Sequence, residues 1–176
     1  MTMTRVGVLV CLAGIACTTR VEPAPEPVPS PNDQLAAMDT RAPVPLQPMM
    51  AHHQKQNMME HLEAIQQIVD GAAREDWAQV KSAAALIETS PQMSQMCTHM
   101  GAGAPGFTEL ALSFHKAADT IAPAADAADV GAVLSATSAT LAVCTQCHAT
   151  YRQEVVSAET FAARTGSDHQ AGAHAP

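Results

Sequence analysis

Cys144-Thr145-Gln146-Cys147-His148, close to the end of a 176-residue chain, is the stretch on which the reading of the fold turns. Two thiols three positions apart, followed at once by an imidazole, form the attachment site of a c-type haem, in which both sulfurs become thioethers and the histidine ligates iron. On a helix, residues three apart share a face, so both sulfurs can meet the two vinyl groups while the next side chain turns beneath the ring. A dithiol redox pair would instead follow a strand at the start of a helix in an α/β pattern, and a zinc site would need two more ligands at matching spacing. The chain offers neither context. The motif predicts one covalent haem c, bound through Cys144 and Cys147, with His148 as an iron ligand.

Composition agrees with that reading. Apolar residues make up 47% of the chain but aromatic ones only 3%, with alanine dominant. This favours closely packed helices over a sheet and leaves a core short of bulk, which a macrocycle would supply. The formal net charge of −8 argues against nucleic acid and favours basic partners.

Upstream of the motif the apolar residues follow a helical period. Met58, Leu62, Ile65, Val69 and Ala72 mark a first helix from about Met50 to Gly71, with Gly71 as its stop. Asp76 is placed to cap a second helix carrying Trp77, Val80, Ala84 and Ile87, which ends before Pro91. Residues 92–106, with Gly101, Gly103 and Pro105, read as an irregular crossover. Phe107, Leu110, Phe114, Ala117 and Ile121 form a third stripe, ended by Pro123. A fourth helix begins near Asp129 and carries Val133, Ala136 and Thr140 into the motif. The expected fold is all-α, an antiparallel four-helix bundle over residues 49–156 with the haem on its C-terminal helix.

Both ends of the chain read differently. Arg5 followed by the apolar run Val6 to Ala16 has the form of a secretory signal and is too short to span a bilayer permanently. Leu12-Ala13-Gly14-Ile15-Ala16-Cys17 resembles a bacterial lipobox, with Gly14 where leucine is usual. The resemblance implies a signal peptide over residues 1–16, a lipidated Cys17 and anchorage at the outer membrane; ordinary cleavage near Ala16 would leave a soluble periplasmic protein. Residues 17–48 hold eight of the twelve prolines, five of them alternating from Pro23 to Pro31, and predict an extended tether without helix. Residues 157–176 are small and polar and predict a disordered tail in which His169 and His174 are solvated bystanders.

Cys144 to His148, continued by Ala149-Thr150-Tyr151-Arg152, is similar to the ending of the class II cytochromes c, the cytochrome c′ family, and the helix-Gly71-loop-Asp76-helix segment is similar too. The resemblance covers about residues 50–156 and, within the family, points to a methionine-ligated low-spin branch. It implies that Arg152 lies one turn past His148 on the proximal side of the haem, that the sixth iron ligand comes from the first helix, and that two subunits can associate. As a bystander, Arg152 would simply favour the helix C-terminus.

Met49, Met50, His52, His53, Met58, Met59 and His61 all fall on or near that first helix. Met58 and His61 share its apolar stripe and are best placed to point inward. Met58 is the expected ligand, with His61, Met59, Met50 or a vacant position as alternatives; an ungapped alignment on Gly71 and Asp76 would put the position near Lys55. A thioether gives six-coordinate iron suited to electron transfer, whereas a vacant site admits a diatomic gas such as nitric oxide or carbon monoxide. Cys97, in the crossover, has no evident partner. Met93, Met96, Cys97, His99 and Met100, with Met49, Met50, His52 and His53, make up the donor set that cuprous copper prefers.

The expected function is a monohaem one-electron carrier of the cell envelope, exchanging electrons with exported redox proteins and doing no bond chemistry itself. Gas binding and copper binding are the alternatives. Nothing resembles a catalytic triad, a phosphate loop or a general acid and base pair, so no enzyme is expected.

Overall fold

The computed structural model describes residues 28–166. The signal segment, Cys17, His169 and His174 lie outside them. The chain divides into two units, residues 1–39 and 40–176.

Within the first unit, helix α1 (Pro31–Met38) departs from the expected tether. The alternation of prolines ends at Pro31, which occupies the first helical turn, where its missing N–H is no loss. Ser30 accepts from the Asp33 N–H while the Asp33 carboxylate accepts from the Ser30 N–H, a complete capping box.

The second unit is predominantly helical, as the periodicity predicts. Its helices are α2 (Pro48–Ala73), α3 (Trp77–Ala84), α4 (Pro91–Gly101), α5 (Phe107–Ala118), α6 (Ile121–Asp126), α7 (Val130–Thr150) and α8 (Ala158–Thr165). Asp76 caps α3 and Asp129 caps α7, each carboxylate accepting from a first-turn N–H at 3.0 and 2.9 Å. Gly71 lies inside the last turn of α2 and does not end it. A Cβ there would stand 3.0 Å from Val80 Cγ2 and 3.2 Å from the Asp76 carbonyl, so the glycine allows α3 to fold back closely on α2. Pro123 likewise sits in the first turn of α6 and leaves α5 to end five residues earlier.

Three expected irregular segments are ordered. The crossover contains α4, started by Ser90, whose hydroxyl accepts from the Met93 N–H, and by Pro91 in the first turn. Ala42–Leu46, inside the expected tether, is strand β1, and it pairs in parallel with β2 (Tyr151–Val155), from Ala42 opposite Tyr151 to Leu46 opposite Val155. The Leu46 carbonyl accepts from the Val156 N–H, so residues 42, 44 and 46 turn their backbone groups to β2. Pro43 and Pro45 alternate with them and point their donor-free nitrogens away, which is how a proline-rich segment serves as an edge strand. The expected tail contains α8, capped by Ser157 and anchored by Phe161, only 2% exposed.

The larger core joins α2, α3, α5, α6 and α7 through Ile65, Ile68, Val80, Ile87, Phe114, Ile121 and Val133. A smaller one gathers Val44 and Leu46 of β1, Ala51 of α2, Met100 of α4, Ala104 and Phe107.

Candidate functional site

Between α2, α4, α5 and α7 lies a cavity of about 460 Å³, a size ordinary for a small-molecule or cofactor site. From α7 it is lined by Cys144, Cys147 and His148. Asp129 starts that helix 15 residues upstream of Cys144, and its end is tied down at three points. The Tyr151 N–H donates to the Cys147 carbonyl, the Tyr151 hydroxyl donates to Pro105 O at 2.8 Å, and Arg41 Nη1 donates to the His148 carbonyl at 3.1 Å. A guanidinium at a helix C-terminus also opposes the negative end of the dipole. Arg41 therefore takes the position at the helix end that sequence suggested for Arg152. The helix stops at Thr150, so Arg152 stands in β2 opposite Pro43, not one helical turn beyond His148, and its buried Nε has no hydrogen-bond partner.

From α2 the cavity receives Lys55, Met58, Met59, His61, Leu62 and Ile65. Met58 and His61 thus face the same space as the Cys144–His148 motif, as do Met59 and Lys55. Met50 does not line it. Met58, Met59, Leu62 and Leu141 border the cavity while 41%, 56%, 59% and 39% exposed. So many large apolar groups around one opening mark a surface built to be covered.

His61 is the polar feature of the wall. Its ring stacks on Phe114 at 4.8 Å and meets His115 edge-on at 5.3 Å. Its Nε2 is buried without a hydrogen-bond partner. Burial, with a smaller push from a charge on His115, lowers its pKa to about 4, so the ring is neutral at ordinary pH and keeps a lone pair for a metal or donor. His115, 3% exposed, has Nδ1 2.9 Å from the Ile87 carbonyl oxygen. A carbonyl only accepts, so Nδ1 carries the proton and, in the neutral ring, Nε2 is the acceptor.

Cys97 also lines the cavity. Burial raises the pKa of Cys97, Cys144 and Cys147, and the other two thiols add to the shift of Cys147, which places all three within electrostatic reach of one another. None of the three is in a disulfide.

Compared with known proteins, the chain matches no family model, and no curated protein or solved structure is significantly similar to it.

Two features of the wall escape a sequence reading. His115 follows Phe114 directly, off the apolar stripe, and nothing in its neighbourhood announces a pairing with His61. Cys97 was legible as a thiol without a partner and as a member of a soft donor set, not as part of the cavity with Cys144 and Cys147, although Met93, Met96, Cys97 and Met100 step by three, one and three and would have marked the helix that carries it.

Proposed function

We propose that the cavity holds a covalent haem c and that the protein is a one-electron carrier of the class II cytochrome type. The observation that carries this reading is that the two thiols and the imidazole of the Cys144–His148 motif line one cavity with Met58 and His61 of α2. The residues fit the group: the wall is overwhelmingly apolar, its exposed methionine and leucine side chains would be covered by a macrocycle, and a neutral imidazole stands there without a partner. The bound haem would supply a one-electron couple at iron.

The chain's own part is attachment, orientation and seclusion. Cys144 and Cys147 would hold the ring, His148 would serve as a ligand from α7 and Met58 as one from α2, a donor pair suited to one-electron transfer. Phe107, Phe114, Leu110 and Ile65 exclude water, which with the thioether favours the reduced state. The α2, α3, α5–α6 and α7 segments, joined by contacts of α2 with α3 and α7, of α3 with α6 and of α7 with α5 and α6, would be the four helices of the proposed bundle, with α4 and the β1–β2 pair as additions at the cofactor end.

In this reading the protein is exported, anchored through a lipidated Cys17 at the outer membrane or soluble in the periplasm, and exchanges electrons with proteins of the cell envelope. It carries out no bond chemistry. Two subunits can associate, as in the family it resembles.

The test is the full chain matured in a host with haem-ligation machinery. It should emerge red, with the mass of one haem added, and the Cys144→Ala/Cys147→Ala variant should emerge colourless at the mass of the polypeptide. Colourless parent protein overturns the proposal. A haem that is high-spin in both oxidation states would redirect it to gas binding.

A further inference from the structure

Beside the cavity, on the other flank of α4, lies a second depression of about 430 Å³. Its walls are one face each of α2 and α4. Met50 and His53 come from the first turns of α2, three residues apart; Met96, His99 and Met100 come from α4 at positions i, i+3 and i+4. The two faces are in contact, because Asn57 Nδ2 of α2 donates to the Met96 sulfur at 2.7 Å. The nine donors grouped above as a copper-preferring set are thus sorted by the fold: Met93 and Cys97 line the first cavity, Met49 and His52 line neither, and Met50, His53 and His99 converge on the second, with Met96 and Met100 in the wall between the two.

The sorted set has a definite chemistry. Met100 is buried, and Met50 and Met96 are partly buried against the apolar cluster to which it belongs, so three thioethers sit on the inner side of the depression. His53 and His99 are exposed at the rim, where among the described residues His53 makes a ring contact with His52 and His99 one with Phe161. Glu60 is the one carboxylate in the lining. Among the described residues no three His, Cys, Asp or Glu side chains are grouped to hold a metal ion, so a hard divalent cation has no cage here. Thioether sulfur with imidazole nitrogen selects a soft, low-charge cation that accepts low coordination numbers. The sulfur of Met96, with one lone pair directed to Asn57, retains another.

We propose that this depression is a binding site for one cuprous ion, held by His53 and His99 from the rim together with one or two of the thioethers of Met50, Met96 and Met100. The site shares Met96 and Met100 with the first cavity, while its other donors, Met50, His53 and His99, lie outside that cavity.

The test is an anaerobic competition for Cu⁺ between a coloured cuprous chelator and the full chain, run on the protein as isolated and on the Cys144→Ala/Cys147→Ala variant, which removes the motif thiols whether or not they carry haem. The expected result is one chelator-resistant Cu⁺ per chain in both, undisturbed by excess Zn²⁺. His53→Ala/His99→Ala, at exposed positions that leave the fold intact, should weaken binding by an order of magnitude or more, and Met50→Leu should weaken it further. Absence of retained Cu⁺ overturns the site. Retention unchanged in His53→Ala/His99→Ala but lost in Cys97→Ser also overturns it, by assigning the ion to the thiol of the neighbouring cavity. Retention or loss of haem in the same samples reports on the cytochrome reading alone.

Discussion

Met58 and His61 share one stripe of α2 and one cavity, and their chemistry separates them. A thioether cannot be protonated in the working range and remains a ligand at any pH, whereas an imidazole ligand lowers the potential relative to methionine. If Met58 ligates, Met58→Ala should convert the loaded protein from low-spin to high-spin iron, read by electron paramagnetic resonance; an unchanged spectrum overturns the assignment to Met58. His61 itself bears on folding. Its pKa falls from 6.5 to about 4 in the folded chain, mainly through burial, so between those values the unfolded chain binds the proton more readily. Stability conferred by the neutral ring is therefore complete above about pH 6.5 and is lost as pH falls toward 4. Urea unfolding of the Cys144→Ala/Cys147→Ala variant should show that loss, and the added substitution His61→Gln should flatten it.

Among the elements, the additions at the cofactor end are the least expected. The apolar periods of α2, α3, α5 and α7 announce themselves in the sequence, although on α2 the buried face is carried by Ala64, Ile65, Ile68 and Ala72 while Met58, Leu62 and Val69 of the expected stripe are exposed. α4 was masked by Gly101 at its last position and by Gly103 and Pro105 just beyond it, which lend the whole segment the composition of a loop. α8 was masked by its polar surface; a single side chain, Phe161, supplies its burial, beside β1, and the ion pair of Arg164 with Glu154 ties its outer face to β2. Removing that anchor should matter more than the composition suggests. Phe161→Ala should cost about 3 kcal/mol, measured as a lowered midpoint in denaturant, with the spectrum of the loaded protein unchanged because Phe161 does not line the cavity.

For the molecule as a whole, the predominantly helical character, the two aspartate caps and the convergence of α2 with the cysteine motif were legible because each rests on local periodicity or on a short fixed spacing. The parallel strands were not. Pro43 and Pro45 argue against a strand until a partner exists on the side away from their nitrogens, and that partner, Tyr151–Val155, belongs to a segment that continues a helix by every local measure. Only tertiary pairing decides between the two, and no window of sequence contains both halves. The pairing also sets an order in time. Because Ala42 meets Tyr151 and Arg41 meets the His148 carbonyl, this clasp joins early residues to late ones and closes only after the chain has emerged past residue 151. Until that moment the thiols at 144 and 147 belong to an open end, and if they carry haem as proposed, attachment would have its freest access then.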